Sequence, residues 1–515
     1  MKAANRIAVN TGISYARMLI TMVISLYSTR IVLNSLGSLD YGIFNLIAGI
    51  IAMLSFLNTA MATSTQRYLS YYQGKSNMFM QKKVFTNSLI IHIIIGLLLV
   101  VILEILGWAI LGFLNIPDNR MAAAQVVYHY MTVTVFFTVV AVPFNGLLIA
   151  HENMIWVAVV NIIETILKLL IAILLTYTSI DKLMLFGGLT ALLSVVSLIL
   201  YASYCFFKYE DCTISGITRI DKKLSKELTS FAGWNLFGSI CGLGKTQGIA
   251  VLLNIFLGAV VNAAYGIANQ VSSQLTFFSV TLLRAVNPQI MRSEGASDRN
   301  RMLRLSMVVS KFSFFLMVFF TVPVIFEMKA ILTFWLKNVP EYTEAFCNLV
   351  LISILLNQLT IGLQSAVQAI GEIKMYQVVV GGVQLLNLPV AYILLYFGYS
   401  PQMVLLIGSV IEILACGLRL LFLKRIAGLS LQEYTQRVFL KEIVPVCVIV
   451  LTSYLISHTI ELGFRFIFNG VISCFVFSVS IYFFGLCEDE KALIDSFYKR
   501  IRTSIIQKVR VSGTY

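Results

Sequence analysis

Apolar residues along this chain fall in long unbroken runs, and polar residues gather mainly in the short stretches between them. Fourteen such runs are legible: 7–36, 40–66, 86–112, 122–150, 154–178, 183–207, 229–258, 262–290, 306–334, 345–370, 376–397, 401–423, 443–460 and 464–486. Each approaches or exceeds the ~20 residues a helix needs to cross a hydrocarbon core. They are continuous rather than alternating, which argues against barrel strands, and a helix satisfies its own backbone in lipid. The pattern predicts an all-α polytopic membrane protein with about 14 transmembrane helices.

Composition sharpens this. Of 515 residues, 58% are hydrophobic and 12% charged, against about one quarter charged in soluble chains. A soluble enzyme, a disordered chain, a disulfide scaffold and a nucleic-acid-binding domain are all disfavoured. The net charge of +14 has a topological origin. Of 38 Lys and Arg, 26 lie before the first run, after even-numbered runs or in the C-terminal tail. Five (Arg120, Lys182, Lys329, Lys337, Arg465) lie on the other side, and seven are embedded. The positive-inside rule then places both termini in the cytoplasm. The first run carries Arg17 and Arg30 and outlasts a signal-peptide core, so no cleavable signal is expected. Eight cysteines without a CxxC pair and four scattered histidines give no metal or disulfide framework.

A repeat organises the chain. Tyr41-Gly42-Ile43-Phe44-Asn45 in run two and Tyr265-Gly266-Ile267-Ala268-Asn269 in run eight share Y-G-I-x-N, and Leu33-Asn34 precede Gly37 as Leu253-Asn254 precede Gly258. The copies are six helices apart, an even spacing that implies halves of like orientation. This gives an N-lobe (1–207), a cytoplasmic linker (208–228), a C-lobe (229–423), an appended helix pair (424–486) and a basic cytoplasmic tail (487–515).

Polar residues inside the runs carry the candidate chemistry. Asn10, Ser14, Arg17, Thr21, Ser25 and Ser28 share one helical stripe, and run eight repeats this with Asn262, Gly266, Asn269, Ser273, Thr276, Arg284 and Asn287. Runs two and seven carry shorter stripes. Helix packing accounts for the small residues, but not for cations, each costing roughly 2.5–3.5 kcal/mol near mid-bilayer. Lys311 and Arg419 lie near run ends and are expected to snorkel, with Arg30 alike, and Lys168 follows Glu164 by four residues. Arg17, Lys245 and Arg284 have no acid within one turn. They are expected to hold a phosphate or pyrophosphate in a wet cavity between the lobes, with Asn10 and Asn269 as further substrate contacts. Embedded Glu104 and Glu412 are candidates for coupling to Na+ or H+, against simple burial. No other cofactor, no metal and no nucleic-acid partner is expected. Ser239–Thr246 ends in Gly-Lys-Thr like a phosphate-binding loop, but it lies inside an apolar run and starts with Ser, so it is expected to be helix.

Thr29-Arg30, Leu36-Gly37, Tyr41-Gly42 and Gln66-Arg67 together resemble the opening motif of Wzx-type bacterial polysaccharide flippases, in the superfamily of lipid II flippases and multidrug and toxin extrusion (MATE) transporters. The repeated Y-G and the fourteen runs extend the likeness over essentially the whole chain. The resemblance implies a MATE-like two-lobe fold in the bacterial inner membrane. It also implies movement of an undecaprenyl-pyrophosphate-linked oligosaccharide, such as an O-antigen unit, to the periplasmic leaflet, with other polysaccharide assembly proteins and membrane lipids as partners. A MATE-type cation-coupled drug exporter is the first alternative. Its expected cavity acids are missing from runs one and two, where Asp40 at the outer turn is the sole acid. A polymerase or ligase of lipid-linked glycans is the second, and the outer connections 113–121 and 335–344 are short for a catalytic pocket.

Overall fold

The computed structural model describes residues 3–52, 55–113, 116–213, 221–336, 338–459 and 464–492. Lys337, Arg219 in the linker and the basic tail beyond 492 lie outside them. The described residues are all-α, and each of the fourteen runs falls on helix. In chain order these are α1 (Ala3–Ala52), α2 (Ser55–Gly74), α3 (Met78–Phe113), α4 (Asp118–Ala150), α5 (Met154–Tyr177), α6 (Lys182–Lys208), α7 (Lys222–Leu257) and α8 (Ala259–Gly295). They continue with α9 (Arg299–Phe326), α10 (Met328–Leu336), α11 (Thr343–Gln358) and α12 (Ile361–Ile370). The last are α13 (Ile373–Tyr396), α14 (Pro401–Ala427), α15 (Leu431–Thr459) and α16 (Arg465–Gly485).

Among the described residues, eleven helices are long and apolar enough to cross a membrane, or twelve when α11 and α12, bent by 43°, count as one span. The predicted fourteen exceed this by run two, of which residues 53 and 54 lie outside the described residues, and by α8, whose polar stripe dilutes its apolar character. Large apolar side chains such as Leu97, Ile105, Phe207 and Phe475 stand exposed, the arrangement expected of a lipid-facing surface.

The chain forms two compact units. The first comprises Val9–Ser239 with Met291–Asp298, the second Met1–Ala8, Ile240–Ile290 and Arg299–Tyr515. Each repeats one local device. Gly37 breaks α1 with φ +79°, and Gly258 alone separates α7 from α8 with φ +84°. Both are left-handed conformations that cost other residues energy. The residues around each turn enter the core of their own unit. Val32, Leu36, Ile43 and Ile47 pack with Val127, Tyr128 and Met131 in the first. Ile249, Leu253, Val261, Tyr265 and Ala268 pack with Met328, Phe346 and Leu405 in the second. The repeat tyrosines are thus packing residues: Tyr41 lies against its cluster and Tyr265 inside the other.

Within the second unit, α15 and α16 seat on α9 through Phe315, Val318, Ile449 and Phe477. At the end of α4 in the first, Arg292 reaches the buried carboxylate of Glu152 at 3.1 Å and donates to Gln73 Oε1 at 2.6 Å. Arg120 at the opposite end of the helices bridges Asp40 and Asp181 at 2.6 and 2.7 Å, tying α1, α4 and α6 together.

Candidate functional site

The polar stripes supply most of their own hydrogen-bond partners. Ser14 donates to Asn10 O, Thr21 to Arg17 O, Ser239 to Asn235 O, Thr246 to Gly242 O and Thr276 to Ser272 O, each one turn back. A hydroxyl satisfied by its own helix needs neither a cavity nor a partner helix. Ser239–Thr246 is continuous helix within α7, so the Gly-Lys-Thr sequence presents no backbone cradle for phosphate.

The cations differ from one another. Lys245 and Asn269 line one cavity of about 150 Å³ in the second unit, with Thr246, Tyr265, Ser272 and Ser353. With about 30 Å³ per liquid water, it has room for a few waters or one phosphate-sized group. Glu412 of α14 stands beside Lys245, its Oε2 3.7 Å from the ammonium. Its Oε1 accepts from Asn357 Nδ2 at 2.7 Å and Arg419 Nη2 at 3.0 Å. Arg419 also donates to Thr360 Oγ1 at 3.1 Å.

This corrects two expectations. Lys245 is not unneutralised: its carboxylate comes from another helix, where spacing along α7 gives no sign of it. Arg419 does not snorkel, because it is 3% exposed and bound to Glu412. Lys311 likewise is 1% exposed and ion-paired to Glu490 at 2.6 Å. Two cations sharing one carboxylate leave the Lys245 cluster with one net positive charge beside a cavity of mixed polar and apolar lining, so it suits an anion.

Arg284 lies on α8 fifteen residues beyond Asn269, about 22 Å along the helix axis, and so outside that cavity. Its side chain is exposed, and among the described residues it has neither ion pair nor hydrogen bond. Arg17, in the first unit, is half-buried and lies with Glu164 within electrostatic reach of Tyr201. Asn10 is buried and donates through Nδ2 to Glu152 O at 2.9 Å, tying α1 to the turn after α4. Glu104 pairs with His129 Nδ1 at 2.8 Å, both side chains open. The structure therefore gathers Lys245, Asn269 and Glu412 and adds Asn357 and Arg419 to them; Arg284 lies farther along α8, and Arg17, Asn10 and Glu104 belong to the first unit.

The comparisons with known proteins agree on class. A family model described as "Polysaccharide biosynthesis protein" matches residues 4–294, and a second, described as MatE, matches residues 247–393. No curated protein matches the sequence. Among solved structures, a mutant of a MATE protein superposes with a TM-score of 0.72 at 13% identity, covering 83% of this chain and 96% of the other. A MOP superfamily transporter from Pyrococcus furiosus, described by a reverse polarity of its binding pocket that suggests a different function, gives 0.71 at 14% identity, covering 83% and 96%. A mutant of the Vibrio cholerae MATE transporter VcmN gives 0.70 at 16%, covering 84% and 99%. The fold is that of MATE-type membrane transporters. The chain belongs to the polysaccharide biosynthesis protein family.

Proposed function

We propose that this membrane transporter is a flippase for an undecaprenyl-pyrophosphate-linked oligosaccharide. In this reading it moves its cargo from the cytoplasmic to the periplasmic leaflet of a bacterial inner membrane by alternating access, with both termini cytoplasmic as the basic residues indicate. The observation that carries the cargo class is the Lys245 cluster, where one carboxylate serves two cations beside a partly polar cavity. Guanidinium and ammonium groups in a dry setting favour phosphate oxygens. The exposed guanidinium of Arg284, with neither ion pair nor hydrogen bond among the described residues, adds a second anion site farther along α8. The protein does no covalent chemistry in this reading, and its work is transport.

The deciding experiment is deletion of the gene with analysis of surface glycans and lipid-linked intermediates. Accumulation of the lipid-linked unit on the cytoplasmic leaflet supports flipping. Normal glycans with lost resistance to organic cations would replace this reading with drug export. Against drug export, Asp40, the acid near the first turn, is already bound by Arg120, and Glu412 is bound by Arg419, leaving neither carboxylate free for a cationic drug.

A further inference from the structure

Glu442 is used by nothing described so far. It lies within α15, one turn after a wider π turn at Thr435–Phe439 in the same helix, a backbone feature that recurs at functional sites. The residue is 3% exposed, and neither carboxyl oxygen has a hydrogen-bond partner among the described residues. A charged carboxylate so placed costs several kcal/mol unless a cation and hydrogen bonds compensate.

The groups facing it offer little compensation. From α9 comes Lys311, within electrostatic reach of Glu442 but hydrogen-bonded to Glu490 Oε2 at 2.6 Å. The same Glu490 oxygen accepts from Cys487 N at 2.8 Å, and the Cys487 thiol lies 3.6 Å from the Lys311 ammonium. From the start of α15 comes Tyr434, whose hydroxyl donates to Leu359 O at 2.6 Å. Arg437 there is paired with Glu433 and Asp489. α16 carries one charged residue, Arg465, at its far end, bound to Glu327 at 2.9 Å.

We propose that Glu442 is a proton-binding site, with Lys311 as the cation that turns toward it when the proton leaves. With the proton bound, the carboxyl is neutral and Lys311 is free to hold Glu490. With the proton gone, two carboxylates compete for one ammonium, and the Glu490 contact, which fastens the segment after α16 to α9, is weakened. The ligand is H+ rather than a metal cation, because the ammonium already nearby repels a second positive ion. A proton at this joint is a means by which a pH gradient acts on α9, α15 and α16. Such a proton site works whatever the cargo.

The test is infrared spectroscopy of the full-length protein in lipid, wild type against Glu442→Gln. At neutral pH the wild type should show a protonated-carboxyl carbonyl band that the variant lacks; no such difference overturns the site. Raising the pH should bleach the band. In Lys311→Met it should persist to a pH at least about one unit higher, whereas Lys311→Arg, which keeps the charge, should follow the wild type. Bleaching that is the same with and without the Lys311 charge overturns the exchange role. Should Glu442→Gln fail to fold, pH titration of the band in the wild type against Lys311→Met decides the matter: a shift supports the site and equal bleaching overturns it. An absence of lipid-linked glycan transport leaves these spectra unaffected and counts against the cargo reading alone.

Discussion

Lys245 and Arg419 share a single counterion, the carboxylate of Glu412, at 3.7 and 3.0 Å. The arrangement separates stability from transport. Glu412→Gln strands two cations, one of them nearly fully buried, and should cost about 3–5 kcal/mol, visible as a lower unfolding temperature in detergent. Lys245→Ala keeps the Glu412–Arg419 pair and should leave unfolding nearly unchanged. It removes a charge-assisted hydrogen bond to the cargo, worth about 1.5–3 kcal/mol, so transport should fall at least about tenfold. Normal transport in Lys245→Ala would remove the cavity from the mechanism.

Arg284 and Arg419 make a second contrast. Arg284 has no partner among the described residues, so Arg284→Ala should shift stability by no more than about 0.5 kcal/mol while impairing flipping. Arg419→Ala leaves Glu412 with Lys245 alone and should destabilise by about 3–5 kcal/mol. Equal stability losses in the two variants, measured by thermal unfolding, would mean that Arg284 is a structural group.

Gly37 and Gly258 should respond alike to alanine. Nothing lies within 4 Å of a Cβ at either position, so the cost of Ala is conformational alone, about 1–2 kcal/mol for a left-handed residue. Gly37, with ψ 167°, stands in a region essentially reserved for glycine, so Asn should give no relief there. Unfolding of Gly37→Ala and Gly258→Ala, each beside its Asn counterpart, measures this directly.

The Arg120 clamp predicts an acid dependence. The Arg120 guanidinium, followed by backbone N–H donors, holds the Asp181 carboxyl below its ordinary value of 3.8. A carboxylate lowered by folding contributes stability above its unfolded value and loses it as pH falls through the folded one. Wild-type unfolding temperature should therefore drop below about pH 4, and Asp181→Asn should lack that share of the drop. The groups are partly exposed, so the effect should be about 1 kcal/mol or less.

Much of the fold was legible because lipid imposes a coarse rule: a span must be long, apolar and helical. The repeat was legible too, since Gly37 and Gly258 punctuate equivalent places and their neighbours enter equivalent cores. The site was harder to see. Spacing along one helix reveals partners a turn away, which is why Lys245 reads as unpaired when its acid comes from α14. Arg419 follows Glu412 by seven residues, two turns on the same face, a signal that a one-turn search passes over. The stripes misled in the other direction: hydroxyls returning to carbonyls four residues back look identical in sequence to hydroxyls facing water. Glu442, at the edge of an apolar run, gives no sequence sign that both its oxygens lack partners.

The single-residue corner at Gly258 leaves no slack between α7 and α8, and Gly37 interrupts α1 without adding any. A protease, an antibody or an inserted epitope has almost no chain to grasp at either place. Accessibility mapping should use the longer connections, such as the one between α10 and α11, and treat silence at these corners as geometry rather than as burial.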